Sequence, residues 1–128
     1  MKKKIAILGS TGSIGRSTLK VIEKDKRNFD VILLSANNNY KRLIQQAKEF
    51  NVKNVIIKNK NFYEKVKNSL KKNRTKVYFG NTSIKKIIRG NLDYTMAAIV
   101  GIAGLQPTVD AVKISKTVAI ANKESIIL

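Results

Sequence analysis

The chain has 128 residues, long enough for one domain with a real core, and its 26 Lys and Arg against 8 Asp and Glu give a net charge of +18. It holds no Cys, which excludes disulfides and thiolate metal sites, and no His, which removes the commonest general base and metal ligand. No apolar run approaches a membrane span, and Met1-Lys2-Lys3-Lys4 leads straight into a strand pattern, so a soluble cytoplasmic protein without a membrane partner is expected.

The chain opens on a short apolar run, Ile5 to Leu8, of the length of a strand buried on both faces. Gly9, Gly12 and Gly15 follow at a spacing of three, and an amphipathic segment begins with Ile14, Leu19, Val21 and Ile22 as its apolar positions. Strand, glycine turn and helix together open a dinucleotide-binding unit. Gly9 lets the chain leave the strand sharply, Gly12 lets the backbone approach a pyrophosphate, and Gly15 lets the helix pack close to the sheet. The amides of Thr11 to Ile14 then point at phosphates beside the positive end of the helix dipole. The spacing is G-x-x-G-x-x-G rather than G-x-G-x-x-G, and a turn serving packing alone also explains Gly15. It explains Thr11-Gly12-Ser13 poorly.

Phe29 to Ala36 reads as the second strand. In NAD-selective folds an acidic residue at its end holds the ribose 2′-hydroxyl. Here the strand runs into Asn37-Asn38-Asn39, with Lys41 and Arg42 just beyond, which favours NADP over NAD. A polar loop with Asn39 capping the next helix fits equally. Tyr40 to Phe50 has helical spacing, Val52 to Ile57 is a third strand, and Asn61 to Lys72 a charged helix. Lys76 to Gly80 is strand-like, and Ser83 to Arg89 is a short helix ended by Gly90. Between Asn51 and Gly90 no functional constellation stands out.

Leu92 to Val100 returns to a buried strand, and Gly101 to Thr108 is a second glycine turn, with Pro107 in the first turn of a helix to about Lys113. Gly101 and Gly104 either make room for a cofactor or form a plain tight turn. Lys116 to Ala121 is the last strand, followed at once by Asn122-Lys123-Glu124-Ser125. That group sits on the ligand side of an open sheet, or is a helix start capped by Asn122. The fold class is therefore α/β, a Rossmann-like doubly wound and mainly parallel sheet with helices on both faces. The basic residues are spread along the chain, are mostly Lys, and lack an aromatic stacking platform. Specific nucleic-acid binding is not expected, and the Lys, Asn and Ile content reads as codon bias; a general attraction for anionic phosphates remains.

Three stretches carry a resemblance: Ile7-Leu8-Gly9-Ser10-Thr11-Gly12-Ser13-Ile14-Gly15, Met96-Ala97-Ala98-Ile99-Val100-Gly101-Ile102-Ala103-Gly104-Leu105-Gln106-Pro107-Thr108, and Ala121-Asn122-Lys123-Glu124-Ser125. Together, and in this order, they resemble the 1-deoxy-D-xylulose 5-phosphate reductoisomerase family. The resemblance implies an NADPH-dependent oxidoreductase of the non-mevalonate isoprenoid pathway, which converts 1-deoxy-D-xylulose 5-phosphate to 2-C-methyl-D-erythritol 4-phosphate with Mg²⁺ or Mn²⁺. Its small-molecule partner is that phosphorylated sugar, and the full-length enzyme is a homodimer. By position, Thr11, Gly12, Ser13 and Ile14 contact the cofactor phosphates, and Asn37, Asn38 and Asn39 lie at the adenosine ribose and its 2′-phosphate. Asn122 and Glu124 contact the cofactor near its reactive end, and Lys123 contacts the substrate.

Many members have Gly then Lys where this chain has Asn37 and Asn38, which weakens the ion pair to a 2′-phosphate. The family's acidic metal ligands, flap and C-terminal domain lie beyond Asn-Lys-Glu-Ser, so residues 1–128 are expected to be the N-terminal NADPH-binding domain of a longer enzyme, inactive alone. Its catalytic residues and metal ligands are then expected beyond Leu128. The rival readings are a freestanding NADP-binding module, another NADP-dependent oxidoreductase such as a semialdehyde dehydrogenase (which needs a Cys the chain lacks), and a basic nucleic-acid binder on the same scaffold.

Overall fold

The computed structural model describes residues 2–99 and 105–120. Its strands are β1 (Lys3–Leu8), β2 (Phe29–Ala36), β3 (Asn54–Ile57), β4 (Lys76–Phe79), β5 (Leu92–Ala97) and β6 (Ser115–Ile120). Its helices are α1 (Ser13–Glu23), α2 (Tyr40–Glu49), α3 (Tyr63–Ser69), α4 (Ile84–Ile87) and α5 (Leu105–Ile114). All strands pair in parallel, in the order β4-β3-β2-β1-β5-β6. The expected doubly wound α/β sheet is thus observed.

Both faces of the sheet are covered, which is why the central strands read as unbroken apolar runs. On one face, Leu19 and Ile22 of α1, Leu43 and Ala47 of α2, and Val66 of α3 pack over Ile5, Ile7, Leu34 and Val55. On the other, Ile84 of α4, Ile88 just after it and Ala111 of α5 meet Ala6, Leu8, Leu33 and Leu92. A register shift between Ile5 and Ala6 lets Ile32 and Leu33 face the same side. Such a bulge leaves a backbone group without a ladder partner. The buried Asn54 amide fills that gap, donating to the Ile32 carbonyl at 3.0 Å.

Several expectations need correction. Ile14 and Val21 are not core: they are 46% and 67% exposed, because α1 buries the stripe Gly15, Leu19 and Ile22 instead. The helix expected over 61–72 is broken into two 3₁₀ turns, Lys60–Phe62 and Lys71–Asn73, around a short α3. Asn68 and Ser69 are weak helix formers, and Arg74 turns the chain through a left-handed conformation (φ 59°). α4 is shorter than expected because Ile88 is already extended, and α5, from Leu105, takes in the last residues of the expected glycine turn while keeping Pro107 in its first turn as expected. β3 begins at Asn54 rather than Val52, and β5 stops at Ala97 rather than Val100.

Two carboxylates tie strands together. Asp30 pairs with Lys53 at 3.1 Å, across β2 and the approach to β3. Asp93 accepts from the Lys4 amide at 2.8 Å and faces Lys116 at 3.5 Å. That amide bond, with Lys116 beside it, holds the Asp93 carboxyl below its ordinary value despite partial burial. Among the described residues no helix is long and apolar enough to cross a membrane.

Candidate functional site

The chain builds β1 to β4 outward in one direction, then returns to lay β5 on the other side of β1. The order reverses between β1 and β5, and open α/β sheets bind ligands at the carboxyl ends of the strands at such a point. A cleft of about 720 Å³ occupies this position. Leu8, Gly9, Thr11 and Gly12 bring the end of β1 to it; Ser35, Ala36 and Asn37 bring the end of β2. Ala98 and Ile99 after β5, with Pro107 and Asp110 of α5, form the opposite wall.

The three glycines differ in what holds them. Gly9 has φ +81°, and a Cβ there would lie 2.7 Å from the Ala98 carbonyl oxygen. Gly15 is buried, and a Cβ would lie 2.5 Å from Ser10 Cα. Both are required by the protein itself. Gly12 is not: its backbone is extended, and a Cβ would meet only the Gly9 carbonyl oxygen at 3.8 Å. A side chain there would stand at the cleft, so the glycine keeps open a space that the fold leaves unfilled.

Gly12 also begins α1, and no side chain caps that end, nor does an acidic residue lie in its first turn. Its amides and the positive end of the helix dipole therefore remain available to an anion. The end of α2 is different, since the Asn39 side chain accepts from the Arg42 amide at 3.2 Å. The glycine loop itself is held by a buried network. Ser10 Oγ donates to Gln46 Oε1 at 2.8 Å, and Gln46 Nε2 returns a bond to the Ser10 carbonyl at 2.9 Å. The Gly9 and Ser10 amides both bond the Ser35 carbonyl, at 3.1 and 2.8 Å, and Gly9 also meets Ser35 Oγ at 3.0 Å.

The expected site residues are distributed as follows. Thr11, Gly12 and Asn37 line the cleft. Ser13 lines a separate groove of about 420 Å³ between α1 and α2, and Ile14 is exposed beside it. Asn38 accepts from the Asn59 amide at 3.0 Å, and Asn39 is the cap of α2. Arg42, expected near a ribose phosphate, lines the α1–α2 groove instead, and neither it nor Lys41 is among the residues lining the cleft. Gly101, Gly104, Asn122, Lys123 and Glu124 lie outside the described residues.

No local pattern singles out Ser10, Gln46, or the wall formed by Lys58, Asn81, Thr82 and Ser83 after β3 and β4. Gln46 carried a signal of a kind: it is a polar residue on the apolar stripe of α2, next to Ala47. At α4 and α5, the like charge of Lys113 beside Lys85 holds that ammonium below its ordinary value, while Asp110 opposes the shift. No group of three His, Cys, Asp or Glu converges among the described residues, so the divalent metal implied by the resemblance has no ligand set there.

A family model of 1-deoxy-D-xylulose 5-phosphate reductoisomerase matches residues 5–128. A reductoisomerase from Pelagibacter ubique is 54% identical over 127 residues, covering 98% of this chain and 33% of its own length. Among solved structures, the reductoisomerase of Zymomonas mobilis in complex with NADPH superposes with a TM-score of 0.92 at 39% identity, over 99% of this chain and 34% of that one. A second reductoisomerase structure, with NADPH, fosmidomycin and magnesium, gives 0.88 at 30% identity, over 98% and 31%. The chain spans about a third of the length of the relatives it matches.

Proposed function

The chain belongs to the 1-deoxy-D-xylulose 5-phosphate reductoisomerase family, and from that premise we propose that residues 1–128 form the NADPH-binding domain of a longer reductoisomerase. The observation that carries the cofactor site is Gly12: open space over an uncapped helix end, at the point where the strand order reverses. The amides from Thr11 to Ile14 hold the diphosphate, and Asn37 faces the adenosine ribose. Asn122 and Glu124 stand near the nicotinamide, and Lys123 near the substrate phosphate sugar. When bound, the dihydronicotinamide supplies the hydride that reduces the rearranged aldehyde. The chain's own part is to bind and orient that ring, with Gly9 and Ser10 fixed by Ser35 and Gln46 so that the loop does not rearrange around the ligand.

The longer protein converts 1-deoxy-D-xylulose 5-phosphate to 2-C-methyl-D-erythritol 4-phosphate, as a cytoplasmic homodimer using Mg²⁺ or Mn²⁺ held outside the described residues. Turnover is expected of that protein and not of these 128 residues alone. Ligand-linked stabilisation grows with the logarithm of concentration over Kd, so thermal shifts at matched concentrations test the cofactor reading directly. NADPH is expected to raise the melting temperature more than NADH. Equal shifts, or none with NADPH, would remove it.

A further inference from the structure

We propose that Lys58 is the residue that selects NADPH over NADH, by pairing with the 2′-phosphate from the strand beside the asparagine loop. The inference rests on the NADPH reading above and adds the source of its charge. The loop that follows β2 holds no cation over the cleft. Its Asn38 and Asn39 side-chain oxygens are committed to Asn59 and to the Arg42 amide. Arg42 lies in the other groove. Among the described residues that line the cleft, Lys58 is the only cation, and its ammonium makes no hydrogen bond or ion pair among those residues.

Position along the sheet decides which phosphate it meets. The glycine loop at the end of β1 takes the diphosphate, and the ribose then extends over the end of β2, at Asn37. The next strand outward is β3. Its exit is fastened to the loop: the Lys58 amide donates to the Ala36 carbonyl at 2.9 Å and the Asn59 amide to the Asn37 carbonyl at 3.0 Å. Neighbouring strands lie about 4.8 Å apart, within the span of a lysine stem, so the ammonium reaches the outer side of the ribose, where the 2′-phosphate projects. The diphosphate lies one strand further away. Asp110, the one carboxylate lining the cleft among the described residues, stands on α5 and acts on Lys85 of α4.

The test is a fluorescence titration of the full-length protein with NADPH and NADH, for the parent, Lys58→Gln, Lys58→Arg and Arg42→Gln. Lys58 is exposed and pairs through its backbone, so none of these changes should alter the circular dichroism spectrum. Lys58→Gln is expected to weaken NADPH about tenfold or more, the scale of one lost charge-assisted contact, and to leave NADH within about twofold. Lys58→Arg should keep the preference, and Arg42→Gln should resemble the parent. Equal losses for both cofactors would place Lys58 at the diphosphate and overturn the proposal. So would an unchanged preference in Lys58→Gln, or a preference lost in Arg42→Gln. A parent that does not bind NADPH would defeat the cofactor reading itself, and this inference with it.

Discussion

Gly12 and Gly15 sit three residues apart in one motif, yet the structure separates their tasks. Val at position 12 finds extended backbone it can adopt (φ −78°, ψ 176°) and room for its Cβ, at the cost of a poorer helix cap, about 1 kcal/mol. Its methyl groups would occupy the space left for the ligand. Gly12→Val is therefore expected to abolish NADPH binding while the protein stays folded. Gly15→Ala should behave oppositely, since its methyl collides with the backbone of Gly9 and Ser10; overpacking of this kind costs about 1–3 kcal/mol. Cofactor titration with thermal unfolding as the control separates the two, and a Gly12→Val protein that binds like the parent would make Gly12 a packing residue. The packing roles of Gly9 and Gly15 were legible because each answers a steric demand that no other residue type meets. Gln46 was not, since nothing in a helix's own sequence says that a polar side chain in its apolar stripe will find Ser10, 36 positions earlier.

Among the helices, α1 and α2 show two ways of ending beside a sheet. Asn39 spends its side-chain oxygen on the Arg42 amide, and Leu43 then accepts the chain into the core. Removing that cap by Asn39→Ala is expected to cost about 1 kcal/mol, a fall of roughly 4 °C in melting temperature for a domain of this size. NADPH affinity should change less than about threefold, because the oxygen is already committed within the protein. A large loss of affinity at unchanged stability would instead put Asn39 on the ribose. The strands and helices were largely legible as elements, because apolar runs and 3.6-residue spacing report burial directly. Their ends were less so. The bulge opposite Ile5, filled by Asn54, and the early stop of α3 depend on neighbours in space. The cleft wall after β3 and β4 stayed hidden for the same reason: Lys58, Asn81 and Thr82 form no local motif, and only the strand order carries them to the ligand side.

Taken whole, the molecule is a sheet that grows in one direction and then doubles back, and this has a consequence in time. The glycine loop closes on β2 through contacts 26 positions apart, between Gly9 and Ser35. Its other flank waits for β5, reached through the Lys4–Asp93 contact, 89 positions apart. Closing the longer loop costs only about 1 kcal/mol more chain entropy, so the delay concerns order more than stability. β1 to β4 can assemble from successive neighbours, each helix sealing the strand just laid down, while the far wall of the crevice is still unmade. Competence to hold the cofactor should then be the last property the refolding chain acquires. In stopped-flow refolding, far-ultraviolet circular dichroism is expected to recover ahead of the NADPH fluorescence signal, which no tryptophan in this chain obscures. A cofactor signal that rises with the first phase would mean that β5 docks as early as β2, and that the two halves of the sheet condense together.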